Sequence, residues 1–165
     1  MGKTMGKVLV IAKPLGLQDR IDGLATLIMR IGLAWFIFLW AAHKIITPGQ
    51  YQGLARRFDD VELSFAQIYA TGTFQIALCF LVAVGFLRYF SYVGLALMHF
   101  FTVTRRWEGF LDPFALNDNG FPINRNQVID LAVLVAFTAL ILLIPRDHFS
   151  LGGWMRRRIG FRWWQ

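Results

Sequence analysis

The single cysteine, Cys79, lies inside an apolar run, so the chain has no disulfide framework and no CxxC pair for thiol exchange. Charge is also sparse: Asp, Glu, Lys and Arg make up 16% of the residues, against roughly 25% in soluble domains. The three histidines, His43, His99 and His148, stand in no HExxH or comparable spacing with carboxylates, which argues against a dedicated metal site. The short apolar patch Val8 to Ala12 is too brief for a signal-peptide core, and an MGxxx[ST] acylation pattern fails at Gly6. Acids number 10 against 17 Lys and Arg, giving a net charge of +7. In a soluble protein that excess would point to nucleic acid. Here most of the bases flank apolar segments, so the charge reads as membrane topology and nucleic acid is not an expected partner.

What is abundant is apolar sequence. Hydrophobic residues make up 56% of the chain and the mean hydropathy is +0.50, values that fit a small polytopic membrane protein. The stretch 24–46, LATLIMRIGLAWFIFLWAAHKII, is 23 residues long, enough at roughly 1.5 Å per residue to cross a hydrocarbon core of about 30 Å. Helical spacing brings Arg30, Ala34, Ile37, Ala41 and Lys44 onto one stripe, which should face inward. Trp35, Phe36, Phe38, Leu39 and Trp40 are left for lipid or looser packing. A second span is expected over 65–87, a third over 89–104 and a fourth over 127–144. The fold class predicted is all-α: an integral membrane four-helix bundle with an interfacial amphipathic segment and a basic, aromatic C-terminal tail. Residues 1–20 form a basic lead-in, 21–145 the bundle and 146–165 the tail.

Between the spans, local signals place the connections. Asp19 is a candidate cap for the first helix, and Thr47-Pro48-Gly49 is a stop signal. Tyr51, Leu54, Phe58, Val61 and Phe65 then recur at helical intervals among Arg56, Arg57, Asp59, Asp60 and Glu62. That segment reads either as a lid or as a connector with an apolar underside. In the second span Gln67, Thr71, Gln75 and Cys79 form a polar ribbon expected to face neighbouring helices, because unpaired amides in lipid are costly. In the third, Tyr92, Ala96 and His99 share a face. The long loop 105–126 carries the turn signals Asp112-Pro113, Asn119-Gly120 and Phe121-Pro122, interleaved with Trp107, Phe110, Phe114 and Phe121, and is expected to pack at the interface. Asn124 or Asn126 caps the fourth span, with Asp130 in its first turn and Ala132 and Ala136 as a small-residue contact. The tail mixes Arg146, Arg156, Arg157, Arg158 and Arg162 with Phe149, Trp154, Phe161, Trp163 and Trp164, a composition suited to anionic lipid. The termini and the Arg88 turn carry ten Lys and Arg, and the two intervening loops six, so both termini are expected in the cytoplasm.

The Arg30-Gly32 span with its His43-Lys44 exit, the proline-marked loop, and the second span closing on Gly85-Phe86-Leu87-Arg88 resemble the DoxX-like family of four-helix membrane proteins over most of 20–145. Two positions depart from that pattern: Gln75 where the family often has Glu, and Ser150-Leu151-Gly152 where it often has Ser-Leu-Asp. The resemblance implies a multi-pass protein of the bacterial inner membrane, similar to the small membrane subunit of thiosulfate:quinone oxidoreductase and other membrane partners of redox enzymes. On that reading the chain is an accessory subunit that docks protein partners beside a quinone pocket, with Arg30, Lys44, Gln75, Tyr92 and His99 as candidate site residues. Arg30 or Lys44 would polarise a carbonyl, and His99 or Tyr92 would exchange a proton. The alternative is a non-catalytic structural or assembly subunit, or a homo-oligomer, whose polar residues only join helices. Arg30 would then pair with Asp22 or Asp130, and Lys44 with Asp130. A transporter fits less well, since the two halves show no inverted repeat.

Overall fold

The computed structural model describes residues 15–105 and 107–160, without the side chains of Phe58, Asp59 and Ile159. The basic lead-in before residue 15, and Phe161, Arg162, Trp163 and Trp164 of the tail, lie outside the described residues. Within them the chain forms six α-helices and no strand: α1 Leu17–Ile46, α2 Pro48–Asp59, α3 Phe65–Val84, α4 Arg88–Thr104, α5 Arg125–Leu142 and α6 Leu151–Ile159. Three of them, α1, α3 and α5, are long and apolar enough to cross a membrane. They mark the chain as a membrane protein. The first of these spans is longer than its apolar core suggests, because the helix starts seven residues earlier, at Leu17.

The boundaries follow local chemistry. Gly16 caps α1, and Asp19 acts from inside the first turn, its carboxylate accepting from the Gly16 amide at 3.1 Å. Pro48 forces the preceding Thr47 out of the helical region, so α1 ends there. The same proline then opens α2 at its first position, where a missing N–H costs nothing. Ser64 and Gln67 form a reciprocal capping box at the start of α3: Gln67 N donates to Ser64 Oγ at 3.3 Å and Ser64 N to Gln67 Oε1 at 2.9 Å. Asn124 is the N-cap of α5 by position, but its amide is occupied elsewhere, donating to Asp112 O at 2.8 Å. Because α5 begins at Arg125, Asp130 falls in its second turn.

Alternating directions give the assembly two ends. The α1 start, the α3–α4 turn and the segment after α5 share the first end. The α1 exit, α2, and the loop between α4 and α5 share the second. α1 packs on α3 and α5, and α4 lies against both α3 and α5. Leu33, Ile37, Leu78, Val82, Leu95, Phe137 and Leu140 are buried between them. The inward stripe of α1 is as the spacing predicts from Arg30 through Ala34, Ile37 and Ala41, all buried, while its last member, Lys44, is half-buried; Trp35, Leu39 and Trp40 are exposed. Phe36 and Phe38 instead pack partly against the core.

The polar ribbon of α3 divides. Gln75 and Cys79 are buried, but Gln67 and Thr71 are exposed, because a four-residue step drifts about 40° each time around a helix of 3.6 residues per turn. Gln67 is engaged in the capping box, and Thr71 Oγ1 donates back to Gln67 O at 2.8 Å.

The α3–α4 turn is the tightest point. Gly85 has φ +68° and Leu87 φ +48°, and Phe86 N closes the end of α3 on Leu81 O at 3.0 Å. A Cβ on Gly85 would stand 1.9 Å from Arg30 Nη1. Gly85→Ala should therefore lose at least ~1–3 kcal/mol from backbone strain alone. Gly32→Ala, where a Cβ meets nothing within 4 Å, should be neutral or gain up to ~1 kcal/mol. Thermal unfolding in mild detergent compares the two, and equal midpoints would show that the turn tolerates a side chain.

Candidate functional site

The first end is built around Asp147, fully buried just beyond Pro145. Its Oδ2 accepts from Tyr92 OH at 2.6 Å and faces Arg30 Nη1 at 3.5 Å, while its Oδ1 lies 3.3 Å from Thr26 Oγ1. Arg30 Nη2 donates to Phe149 O at 3.3 Å. Arg88, equally buried, donates through Nη1 to Ile144 O at 2.9 Å and to Asp147 O at 3.2 Å. Ser150 Oγ donates to Asp147 O at 2.7 Å and accepts from Gly153 N at 3.0 Å, which starts α6. Gly152 N reaches Gly85 O at 2.9 Å. At the rim, Asp22 faces Arg146 at 3.6 Å and Asp19 faces His148 at 3.6 Å. Asp147 thus meets one guanidinium through its carboxylate and a second through its backbone carbonyl, and each guanidinium keeps an Nε without a hydrogen bond among the described residues. Such a network costs much desolvation and holds only while every member stays in place.

The second end is open. A cavity of about 120 Å³ is lined by Ile37, Trp40, Lys44, Tyr51, Gln75, His99, Thr102 and Asp130. Another of about 290 Å³ shares Trp40, Tyr51, Thr102 and Asp130 with it and continues past Leu54, Arg105 and Ile123. Lys44 Nζ donates to Gln75 Oε1 at 2.7 Å and sits 5.0 Å above the Tyr51 ring, a cation–π contact supplied by α2. His99 is buried between Phe36 and Phe137, and its Nε2 donates to Asp130 O at 2.8 Å. That bond fixes the tautomer and leaves Nδ1 as the acceptor of the neutral ring. Asp130 lines both cavities, and its carboxylate forms no hydrogen bond or ion pair with the described residues.

The five residues singled out by the sequence therefore fall into two groups. Lys44, Gln75 and His99 meet at the second end. Arg30 and Tyr92 belong to the first, where both are tied to Asp147. Arg30 and Tyr92 line neither second-end cavity: Tyr92 and His99, though on one face of α4, lie two helical turns apart. Arg30 pairs with Asp147 and with neither Asp22 nor Asp130. Lys44 and Asp130 do line one cavity, but Lys44 bonds Gln75, which reaches it first. Sequence reasoning did not give a site role to Tyr51, Thr102, Asp147 or Arg88. For Asp147 a signal existed: one acid among bases directly after the proline that ends an apolar run. The division between bundle and tail at 145/146 runs through this network, so the tail's opening residues, Asp147 and Ser150, are core rather than surface.

Comparisons with protein-family models, with curated proteins and with solved structures find no match.

Removing the Asp147 carboxylate leaves the buried Arg30 without its ion-pair partner. Asp147→Ala should destabilise the protein by about 3–5 kcal/mol, the range for breaking one side of a buried ion pair. Arg30→Met combined with Asp147→Leu restores the original charge balance and should recover part of that loss. Size-exclusion profiles and thermal midpoints in detergent read both, and an additive double variant would mean that the two residues do not act as a pair.

Proposed function

We propose that the chain is a four-span membrane subunit of the DoxX-like kind, serving a quinone-linked oxidoreductase or another membrane redox complex. The quinone head would be held in the second-end chamber. The observation that carries this reading is the convergence of a cation, an amide, an imidazole and a hydrogen-bond-free carboxylate on one cavity among otherwise apolar helices. Intramembrane ionisable groups of this kind are functional-site candidates by default. The fourth span is α4, whose 17 residues reach about 26 Å and which joins the other three in one packed unit.

The donor set fits a quinone. Lys44, oriented by Gln75 and Tyr51, offers an N–H to a carbonyl oxygen. Asp130 lines the same cavity and can take up or release a proton there. His99 keeps only Nδ1 for such exchange. When bound, a quinone supplies two-electron, two-proton chemistry, and the electrons come from the partner enzyme. Arg30 and Tyr92 hold the opposite end together and take no part.

Purification in mild detergent, followed by organic extraction and redox difference spectra, should recover bound quinone together with partner chains. Lys44→Gln should lower quinone occupancy about tenfold or more, as loss of a ~1.5–3 kcal/mol charged hydrogen bond requires. Absence of quinone from the parent protein would defeat the reading.

The second reading, a non-catalytic structural or assembly subunit, is favoured by one fact: Lys44 and His99 each already donate to a partner inside the protein. It expects His99→Ala to lower thermal stability while leaving quinone reduction by the purified complex unchanged.

The setting is the bacterial inner membrane with both termini cytoplasmic. The first end then faces the cytoplasm, and α6, with Arg156, Arg157 and Arg158, lies on anionic lipid. Reporter fusions after Lys13, within 105–126 and at the carboxyl end should report inside, outside and inside. A periplasmic signal from either terminus would overturn this orientation.

A further inference from the structure

The connection between α4 and α5 exposes large apolar side chains that no element covers. Phe114 is 87% exposed, Leu111 75%, Phe121 67% and Leu116 60%. A loop bathed in water gains nothing by presenting these groups. Its backbone is nevertheless closed on itself. Asn117 N donates to Phe121 O at 2.9 Å, and Ile123 N to Ala115 O at 3.0 Å. Asn117 Oδ1 accepts from the amides of Asn119 at 3.0 Å and Phe121 at 2.9 Å. Apolar side chains outside and satisfied amides inside are what a segment needs in order to leave bulk water.

We infer that the loop 107–123 is a membrane-dipping wedge, seated among the lipid headgroups and upper acyl chains at the second end. Bilayer lipid is the occupant that fits, because the loop runs straight into α5 at Arg125, one of the three helices long and apolar enough to cross a membrane, and leaves α4 at Thr104. Trp107, 56% exposed, adds the kind of ring found at membrane interfaces. Glu108, Asp112 and Asp118 set the limit of insertion, since carboxylates stay with water, and they make the contact apolar rather than a response to anionic lipid.

The wedge also shapes the chamber. Ile123 lines the larger cavity, with Leu54 of α2 as another wall. With the loop seated in lipid, the wall formed by Ile123 and Leu54 borders the bilayer, the side from which a bilayer-soluble molecule would enter without crossing water. This last step rests on the chamber reading above; the wedge does not.

Single cysteines at Leu111, Phe114, Phe121 and Asp118, placed one at a time in a Cys79→Ala background and spin-labelled, test it in vesicles of zwitterionic lipid. Labels at 111, 114 and 121 should be relaxed several-fold more by oxygen than by a water-soluble nickel chelate, and the label at 118 the reverse. Preferential nickel access at 111, 114 and 121 would overturn the wedge by leaving the loop in water. Protection of those three from both reagents would also overturn it, by showing protein over the patch. If a labelled variant does not fold, Trp107 gives the same reading: its fluorescence, taken as the difference between parent and Trp107→Phe, should be quenched by lipids brominated high on their chains. An unquenched Trp107 that iodide reaches would count against the wedge. Quinone content plays no part in any of these readouts, so the wedge and the redox assignment can fail separately.

Discussion

One buried residue held by two guanidiniums governs the first end of this protein: the Asp147 carboxylate pairs with Arg30, and its backbone carbonyl accepts from Arg88. Asp147 gathers Arg30 from α1, Tyr92 from α4 and Thr26 from α1, while Arg88 holds the backbone of its own segment. In a membrane there is little hydrophobic force to press one apolar helix on another, so specific polar contacts and close approach carry more of the assembly. The network supplies the contacts. Gly85 and Gly152 supply the approach, since side chains there would collide with Arg30 and Arg88. It also reaches beyond the last long helix, pulling 144–153 back over the bundle so that α6 starts from a fixed point.

The second end follows a different economy. Cavities remain between its polar groups. Lys44 and His99 each have a protein partner, but both partners are neutral acceptors, an amide and a carbonyl. No countercharge is bonded to Lys44 among the described residues, although Asp130 lines the same space. A network whose side chains are bonded to one another and to the backbone holds helices together. At the second end a cation and an acidic residue instead line a cavity, beside an amphipathic helix and an apolar loop. That contrast is why the functional proposal rests on the second end alone.

Much of this was written plainly in the chain. The 3.6-residue period put Arg30, Ala34, Ile37 and Ala41 on one buried stripe, and Pro48, Ser64-Gln67 and Gly85 set helix ends by local backbone chemistry that no distant residue had to supply. The candidate site was half legible. Lys44, Gln75 and His99 could be named because ionisable and amide groups inside apolar runs have few other uses. Their division from Arg30 and Tyr92 could not, since both sets lie on inward faces and differ only in depth along the axis.

The sequence by itself determined that the chain is helical and membrane-bound, and which face of α1 turns inward, because these depend on hydropathy and on spacings within one helix. Only the tertiary structure decided who pairs with whom. Arg30 finds Asp147 across 117 positions of chain, and Gln75 reaches Lys44 ahead of Asp130. Partner choice in a bundle is a matter of relative helix depth and rotation, and those are fixed by how four surfaces fit together at once, which no single segment encodes.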